Sequence, residues 1–406
     1  MKSVTEVPLL DVAEGIFDGP HATPPESMDG PIFLRLDNIT PDGRLDLTDL
    51  RYINQSDFPR WTRRVTPLPG DVVFSYEATL HRYVVIPEGF HGCLGRRLAL
   101  IRPNRKKIEP RYLHYYFLTP RWRAVAGSAV INGATVDRIS LTLVRNLPIQ
   151  LPSLQQQRRI VNILSAYDDL IENNRRRMAL LEESARLLYQ EWFVRLRFPG
   201  HEHVRITNGV PDGWSRRKLI ELCESVDYGY TASANQEEIG PKFLRITDIV
   251  PDQIDWSSVP YCPIEDERMP RFRLHEGDIV VARTGATVGY AKRLHKRHPE
   301  AVFASYLVRL RPRHDVDSLI LGIFVESQAY RNYVLSHVGG AAQPNANAQV
   351  LAAAKTVMPT KGIQRKFRDL VEPLIDGREI LQLQNQSLRF ARDLLLPRLM
   401  CEEVSL

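Results

Sequence analysis

Cysteine is scarce: the 406 residues hold four, Cys93, Cys223, Cys262 and Cys401, with no C-x-x-C and no Cys/His ligand spacing among them. That excludes a zinc framework and a disulfide scaffold. No apolar run reaches the length of a membrane-spanning helix, and Met1-Lys2 leads into no apolar signal core, so a reduced cytoplasmic setting with no membrane partner is expected. Catalytic signatures are missing as well. No G-x-G turn for a nucleotide or S-adenosylmethionine fold occurs, and no G-x-x-x-x-G-K-[ST] loop for ATP. The only Pro-Pro pair, Pro24-Pro25, sits in Thr23-Pro24-Pro25-Glu26 and fails the [DN]-P-P-[YF] pattern of amino-methyltransferases. No lysine has an acidic residue two positions before it, as a metal-dependent nuclease of the PD-(D/E)xK kind requires. His21, His81, His91 and His275 lie near turns without a nucleophile constellation around them. The chain is therefore expected to be no enzyme and to hold no metal or cofactor of its own.

What the chain does have is length, mild basicity and an internal repeat. A chain this long with 43% hydrophobic residues exceeds one ordinary core. The formal charge of +6 and the excess of arginine over lysine lean towards a polyanionic partner, because the guanidinium fork suits phosphates and guanine edges. Pro31, Phe33, Leu34 and Arg35 recur as Pro241, Phe243, Leu244 and Arg245, an offset of 210. Ile39, Pro41 and Asp42 meet Ile249, Pro251 and Asp252 at the same offset, and Gly19 meets Gly229. Gly70-Asp71-Val72-Val73 returns as Gly277-Asp278-Ile279-Val280 at 207, and Arg102-Pro103 as Arg311-Pro312 at 209. Offsets that drift by a few residues are what loop insertions leave in a duplicated unit.

Each copy opens with short apolar runs between Gly, Pro and Asp turns, read as strands, followed by a helical stretch, residues 110–122 in one copy and 316–333 in the other. A long helix comes next. Ile160, Leu164, Tyr167, Ile171, Asn174, Met178, Leu181, Ala185, Leu188 and Trp192 step by four and three throughout, a heptad seam. Adding 207 gives Phe367, Val371, Leu374, Arg378, Leu381, Asn385, Leu388, Arg392, Leu395 and Leu399, seven of them apolar. The two helices, each ~60 Å long, are expected to pair as an antiparallel coiled coil, with Asn174 and Asn385 fixing its register and Pro373 kinking or delaying the second helix. The fold class expected is α+β: two similar mixed domains, residues 1–152 and 199–360, each followed by a long helix, residues 153–198 and 361–406. Two like heads in one chain suit a pseudo-two-fold reader of a split DNA target.

Particular stretches strengthen that reading: Asp18-Gly19-Pro20-His21-Ala22-Thr23-Pro24, Phe33-Leu34-Arg35, Gly70-Asp71-Val72-Val73, and Leu151-Pro152-Ser153-Leu154-Gln155-Gln156-Gln157-Arg158-Arg159-Ile160. With the head–helix–head–helix order, they resemble the specificity subunits of type I restriction-modification systems over nearly the whole chain. The second helix entry is more divergent: Gln364 and Arg365 remain, but Thr360-Lys361-Gly362 replaces the usual Pro-Leu-like residues. The resemblance implies a target-recognition domain in each head and a spacer in each helix. It further implies a partner DNA methyltransferase subunit in two copies, a restriction motor subunit, and adenine methylation of a bipartite site. S-adenosylmethionine, Mg and ATP would be used only by those partners. A stand-alone two-headed DNA-binding regulator is the alternative the residues leave open.

The candidate DNA contacts fall on loops, where a repeated scaffold carries its differences. In head one they are His21 and Thr23; Ser75, Tyr76, Glu77 and Thr79 after the G-D-V-V strand; Arg35; and the basic pair Arg96 and Arg97. In head two they are Tyr230 and Thr231; Arg283, Thr284 and Thr287 after the matching strand; Arg245; Lys292; and the amides Asn345 and Asn347 in the loop that begins at Gln343. Gly19 and Gly229 are expected to let the backbone turn sharply beside them.

Overall fold

The computed structural model describes residues 5–131, 136–251, 253–338 and 344–400. The chain forms two compact units, and their boundaries cross the long helices: residues 1–173 with 384–406, and residues 174–383. The α+β class holds, with two β-sheet heads and two long helices packed together.

In the first unit a four-stranded antiparallel sheet runs in the order Ala13–Asp18, Leu98–Pro103, Val72–Ser75, Tyr83–Val85. Val72, Val73, Phe74, Leu98, Ala99 and Leu100 are buried on both faces, as the unbroken apolar runs require. A parallel pair, Ser27–Leu34 with Gly92–Leu94, and an antiparallel pair, Thr5–Pro8 with Pro148–Leu151, complete the head. The second unit repeats this topology. Its sheet order is Cys223–Tyr228, Leu307–Pro312, Ile279–Ala282, Ala291–Arg293, with a parallel pair Lys242–Leu244 and Ala301–Phe303 and an antiparallel pair Ser215–Lys218 and Lys355–Met358.

Several repeated residues prove to be scaffold. Asp71 is buried; it accepts from the Leu68 amide at 2.8 Å and takes Arg102 in a fork, Nε on Oδ1 at 3.0 Å and Nη2 on Oδ2 at 2.8 Å. In head two, Asp278 accepts from the His275 amide at 2.9 Å and takes Arg311 with both bonds at 2.9 Å. The repeated Gly-Asp and Arg-Pro dipeptides are thus the two halves of one buried ion pair in each head. Gly70 and Gly277 precede it at φ +90° and +82°, a conformation that favours glycine.

The helical stretches at 110–122 and 316–333 are each two helices, Pro110–Leu118 with Pro120–Gly127, and Ser318–Val325 with Gln328–His337. Thr119 and Ser327 cause the breaks. Their backbones are extended, and their hydroxyls accept from the Trp122 and Tyr330 amides, so each caps a new helix; Pro120 then fills a first-turn position that needs no N–H. Gly19 and Gly229 also differ from expectation. Neither has positive φ; a Cβ on Gly19 would lie 2.8 Å from the Gly95 carbonyl oxygen, and one on Gly229 would lie 2.2 Å from that of Ala304. They are glycine because another strand's backbone passes there.

The long helices span Leu154–Tyr189, continued by a π-turn at Gln190–Val194, and Lys361–Met400. Pro373 neither delays nor interrupts the second. It lies on the exposed side, where the carbonyl it leaves unpaired meets water. Within each unit the helix segments run antiparallel. In the first, Ile160, Val161 and Leu164 share a core with Leu396, Leu399 and Met400, Asp168 takes Arg392 Nη1 at 2.7 Å, and Asn385 Nδ2 donates to the Ile171 carbonyl at 3.2 Å. In the second, Arg378 reaches Glu182 at 3.4 Å, and Ala185, Tyr189, Trp192 and Phe193 pack on Phe367 and Val371. Along the seam, Met178 and Leu381 are buried, and Tyr167, Leu181, Leu188, Leu374, Leu388 and Leu395 are half-buried. A buried Gln ties each helix to its head. The Gln157 amide donates to the Lys107 and Pro152 carbonyls and accepts from the Glu109 N–H, while Gln364 donates to the Pro359 carbonyl.

Burial also creates a pH-sensitive point. His114, on Pro110–Leu118, is enclosed with its Nε2 making no hydrogen bond, and desolvation lowers its pKa from 6.5 to about 4. The folded head holds the ring neutral over a range in which the unfolded chain takes up a proton. Stability is therefore full above about pH 6.5 and falls as the pH drops towards 4, by at most about 3 kcal/mol. Peptide-resolved hydrogen exchange over residues 110–118 is expected to show protection falling between pH 7 and pH 5, and a much shallower slope in His114→Gln. Equal slopes would show that His114 is not the group responsible.

Candidate nucleic-acid interface

Each head closes a loop clasp beside the end of its G-D-[VI]-V strand. In head one the Ala78 N–H donates to the Asp137 carbonyl at 2.9 Å, and the Ile139 N–H donates to the Tyr76 carbonyl at 2.8 Å. In head two the Gly285 N–H donates to the Pro344 carbonyl at 3.0 Å, and the Ala346 N–H to the Arg283 carbonyl at 2.8 Å. Ala78 and Gly285 are both left-handed, φ +68° and +76°. Every residue of one clasp lies 207 positions from its counterpart in the other.

The side chains differ. In head one, exposed His21 lies 3.0 Å from Asp18 Oδ2 and 3.4 Å from the Tyr76 hydroxyl, its ring edge-on to that of Tyr76. Arg64 Nη1 donates to the same Asp18 oxygen at 2.5 Å. Burial first, then the carboxylates of Asp18 and Glu77, push the Tyr76 phenol up to about 12, so it stays protonated. Glu77 pairs with Arg97 at 3.6 Å, and Arg97 itself has φ +72°. Thr23, Thr79 and Arg96 are exposed. In head two the Arg283 guanidinium lies 4.8 Å over the Tyr228 ring, with Nη2 donating to Asn345 Oδ1 at 3.3 Å. The Tyr228 hydroxyl accepts from the Ala348 amide at 2.9 Å, which holds the ring in place. Thr284 bridges to Asn345, Thr287 and Lys292 are half-buried, and Thr231 is exposed.

Four expected contacts change role, and a fifth, Asn347, takes on a second one. Ser75 is 2% exposed and its hydroxyl accepts from the Arg82 amide, so it closes a strand end and presents nothing to a ligand. Arg35 is spent on Asp49, with bonds of 3.0 and 2.5 Å to its carbonyl and carboxylate, and Arg245 on Asp248, in the capping turn that both heads share. Tyr230 packs against Phe272 at 5.1 Å. Asn347 is exposed, but its side-chain oxygen caps the helix Ala348–Ala352 through the Val350 amide. Gln343, where that loop begins, lies outside the described residues. Three residues missed by the sequence reading join the sites: Arg64, Tyr228 and Arg138, the last detectable because it stands 207 positions before Asn345. Among the described residues no cluster of His, Cys, Asp or Glu is arranged to hold a metal ion, and no helix is long and apolar enough to cross a membrane.

Comparison with known proteins agrees with this architecture. A family model described as "Type I restriction modification DNA specificity domain" matches residues 64–183. The putative type I restriction enzyme MjaX specificity subunit of Methanocaldococcus jannaschii is 26% identical over 69% of this chain and 69% of its own length. The HindI specificity subunit of Haemophilus influenzae is 19% identical over 86% of this chain and 90% of its own. In sequence the chain is similar to type I specificity subunits over more than two thirds of its length. Its fold is also that of the crystallised type I S subunit from M. genitalium, with a TM-score of 0.55 over 98% of this chain and 97% of the other at 13% identity. As a specificity subunit it recognises the DNA target of its system and is non-catalytic within the complex.

Proposed function

We propose that each head reads one half of a bipartite site in double-stranded DNA and that the chain directs methylation or restriction by partner subunits. Residues 1–152 and 199–360 are the target-recognition domains in this reading, and 153–198 and 361–406 the spacers. The observation that carries it is the loop clasp: one backbone arrangement, repeated at a constant offset, presents different side chains in each head. Thr23, His21, Glu77, Thr79, Arg96 and Arg97 face the target from head one, and Thr231, Arg283, Thr284, Thr287, Lys292, Asn345 and Asn347 from head two. Phosphate contacts position such a surface, and base contacts specify.

Methyl transfer then belongs to a methyltransferase subunit bound in two copies, with S-adenosylmethionine as its cofactor; Mg and ATP serve a restriction motor subunit. Apolar side chains exposed on the long helices support docking there. Leu187 in one unit and Leu394 in the other stand 207 positions apart at 46% and 47% exposure. The purified chain alone is expected to transfer no methyl group with S-adenosylmethionine present. Adding the methyltransferase subunit is expected to yield methylation at a split site, and native mass spectrometry two partner copies per chain. Methyl transfer by the isolated chain overturns the reading. Tight sequence-specific binding by a chain that takes no methyltransferase points instead to the stand-alone regulator.

A further inference from the structure

We propose that three matched positions in each head set its half-site, Asp18, Tyr76 and Arg138 in head one and Tyr228, Arg283 and Asn345 in head two, and that Arg283 reads a guanine. This rests on the heads being DNA readers. The match comes from backbone pairing. Asp18 lies opposite Ala99 in the sheet and Tyr228 opposite Val308, and the glycine after each donates to the next carbonyl along, Leu98 at 3.0 Å and Leu307 at 3.3 Å. Tyr76 and Arg283 follow equivalent strands, and Arg138 and Asn345 bridge to the residue after each, Glu77 and Thr284. The backbone is shared while all three side chains change, as expected where a scaffold stays and its target varies.

Arg283 differs from several other arginines of its unit. Arg245, Arg309, Arg311, Arg313 and Arg368 in the same unit each face a carboxylate. No acidic side chain among the described residues pairs with Arg283; its neighbours are a π-face and an amide oxygen, and its Nε is buried without a hydrogen bond. An uncompensated guanidinium, flattened on a fixed ring, has already given up much of its rotamer freedom. It is ready to donate two parallel bonds to guanine O6 and N7. The adjoining Tyr306, whose carbonyl accepts from the Arg283 amide, is 62% exposed and extends the aromatic surface beside it. Head one has the opposite character at these positions. Its buried Tyr76 hydroxyl is turned to His21, and Asp18 is engaged by Arg64. The two half-sites should therefore differ in composition, with the arginine-read guanine in the half bound by head two.

The test uses the full chain with its methyltransferase partner, selecting from a random duplex library. Wild type, Arg283→Ala and Arg283→Lys are compared, with melting curves to confirm that each folds. Both variants are expected to lose preference for guanine at one position of one half-site by roughly tenfold or more, with the other half unchanged. Lysine keeps the charge but not the fork, so retention of the guanine preference by Arg283→Lys overturns the forked contact. Replacing that guanine with 7-deazaguanine, which lacks N7, is expected to weaken wild-type binding and leave Arg283→Ala indifferent. A uniform loss over all sequences, or a change in both halves, overturns the assignment and makes Arg283 a phosphate or structural contact. A wild-type complex that selects no sequence overturns the DNA-reading itself.

Discussion

Asp278→Ala is expected to destabilise the second unit by about 3–5 kcal/mol, a large share of a typical domain's stability. Asp278 is 2% exposed and holds three donors: the His275 amide and both arms of the Arg311 fork. Arg309, also buried, lies 4.0 Å from the same carboxylate. Removing the carboxylate leaves two guanidinium groups close together, with Arg309 still paired to Asp227 at 2.7 Å and bonded to the Arg271 and Arg273 carbonyls. It also leaves the tight turn at Gly277 without its anchor. The cost is that of buried charge left uncompensated, and it exceeds the net worth of the pair. Peptide-resolved hydrogen exchange is expected to show protection lost across residues 279–312 while the first unit keeps its own. Loss spread equally over both units would refute a unit-specific role, and Asp278→Asn, whose one oxygen can still accept from the His275 amide and Arg311 Nη2, should fall between wild type and alanine.

Phe367→Ala is expected to cost about 3–5 kcal/mol by leaving a cavity where the two helices of the second unit meet. Phe367 is completely buried, with ring centroids 4.7 Å from Phe193, 5.5 Å from Trp192 and 6.3 Å from Tyr189. Three aromatic neighbours cannot collapse into the gap without leaving their rotamers, so little of the loss is recovered. Urea denaturation followed by tryptophan fluorescence is expected to show an earlier transition, with Phe367→Leu losing less than half as much. A midpoint unchanged in Phe367→Ala would show that the seam contributes no stability at this level.

The duplication and the helix pairing were legible because both leave periodic marks: an offset that stays within a few residues and a seven-residue step. Ser75 was misread because a four-residue strand buried on both faces has no alternation, so nothing in the sequence says where burial ends. Arg35 and Arg245 were misplaced for a different reason. A residue identical in both heads is held by the scaffold, whereas a residue that reads different half-sites must differ between them. That rule sorts Asp71, Arg102 and the capping arginines into the framework, and Tyr76 with Arg283 into the variable face. Arg138 was hidden because its own neighbourhood has no distinguishing pattern; only the fixed offset to Asn345 marks it. The short helices were merged because Thr119 and Ser327 can sit inside a helix or start one, and the choice depends on the local φ and ψ.

The first unit is assembled from two stretches of chain separated by the whole of the second, and this sets an order of events during synthesis. Residues 174–383 emerge from the ribosome as one continuous block and can fold as soon as they are complete. Head one has no such freedom: the apolar face of Ile160, Val161 and Leu164 has to wait for Leu396, Leu399 and Met400. At about 5–20 residues per second the wait is roughly 10–50 s. Throughout it the nascent protein carries an uncovered sticky helix, so its production should depend on chaperones until the final turns of the second helix arrive.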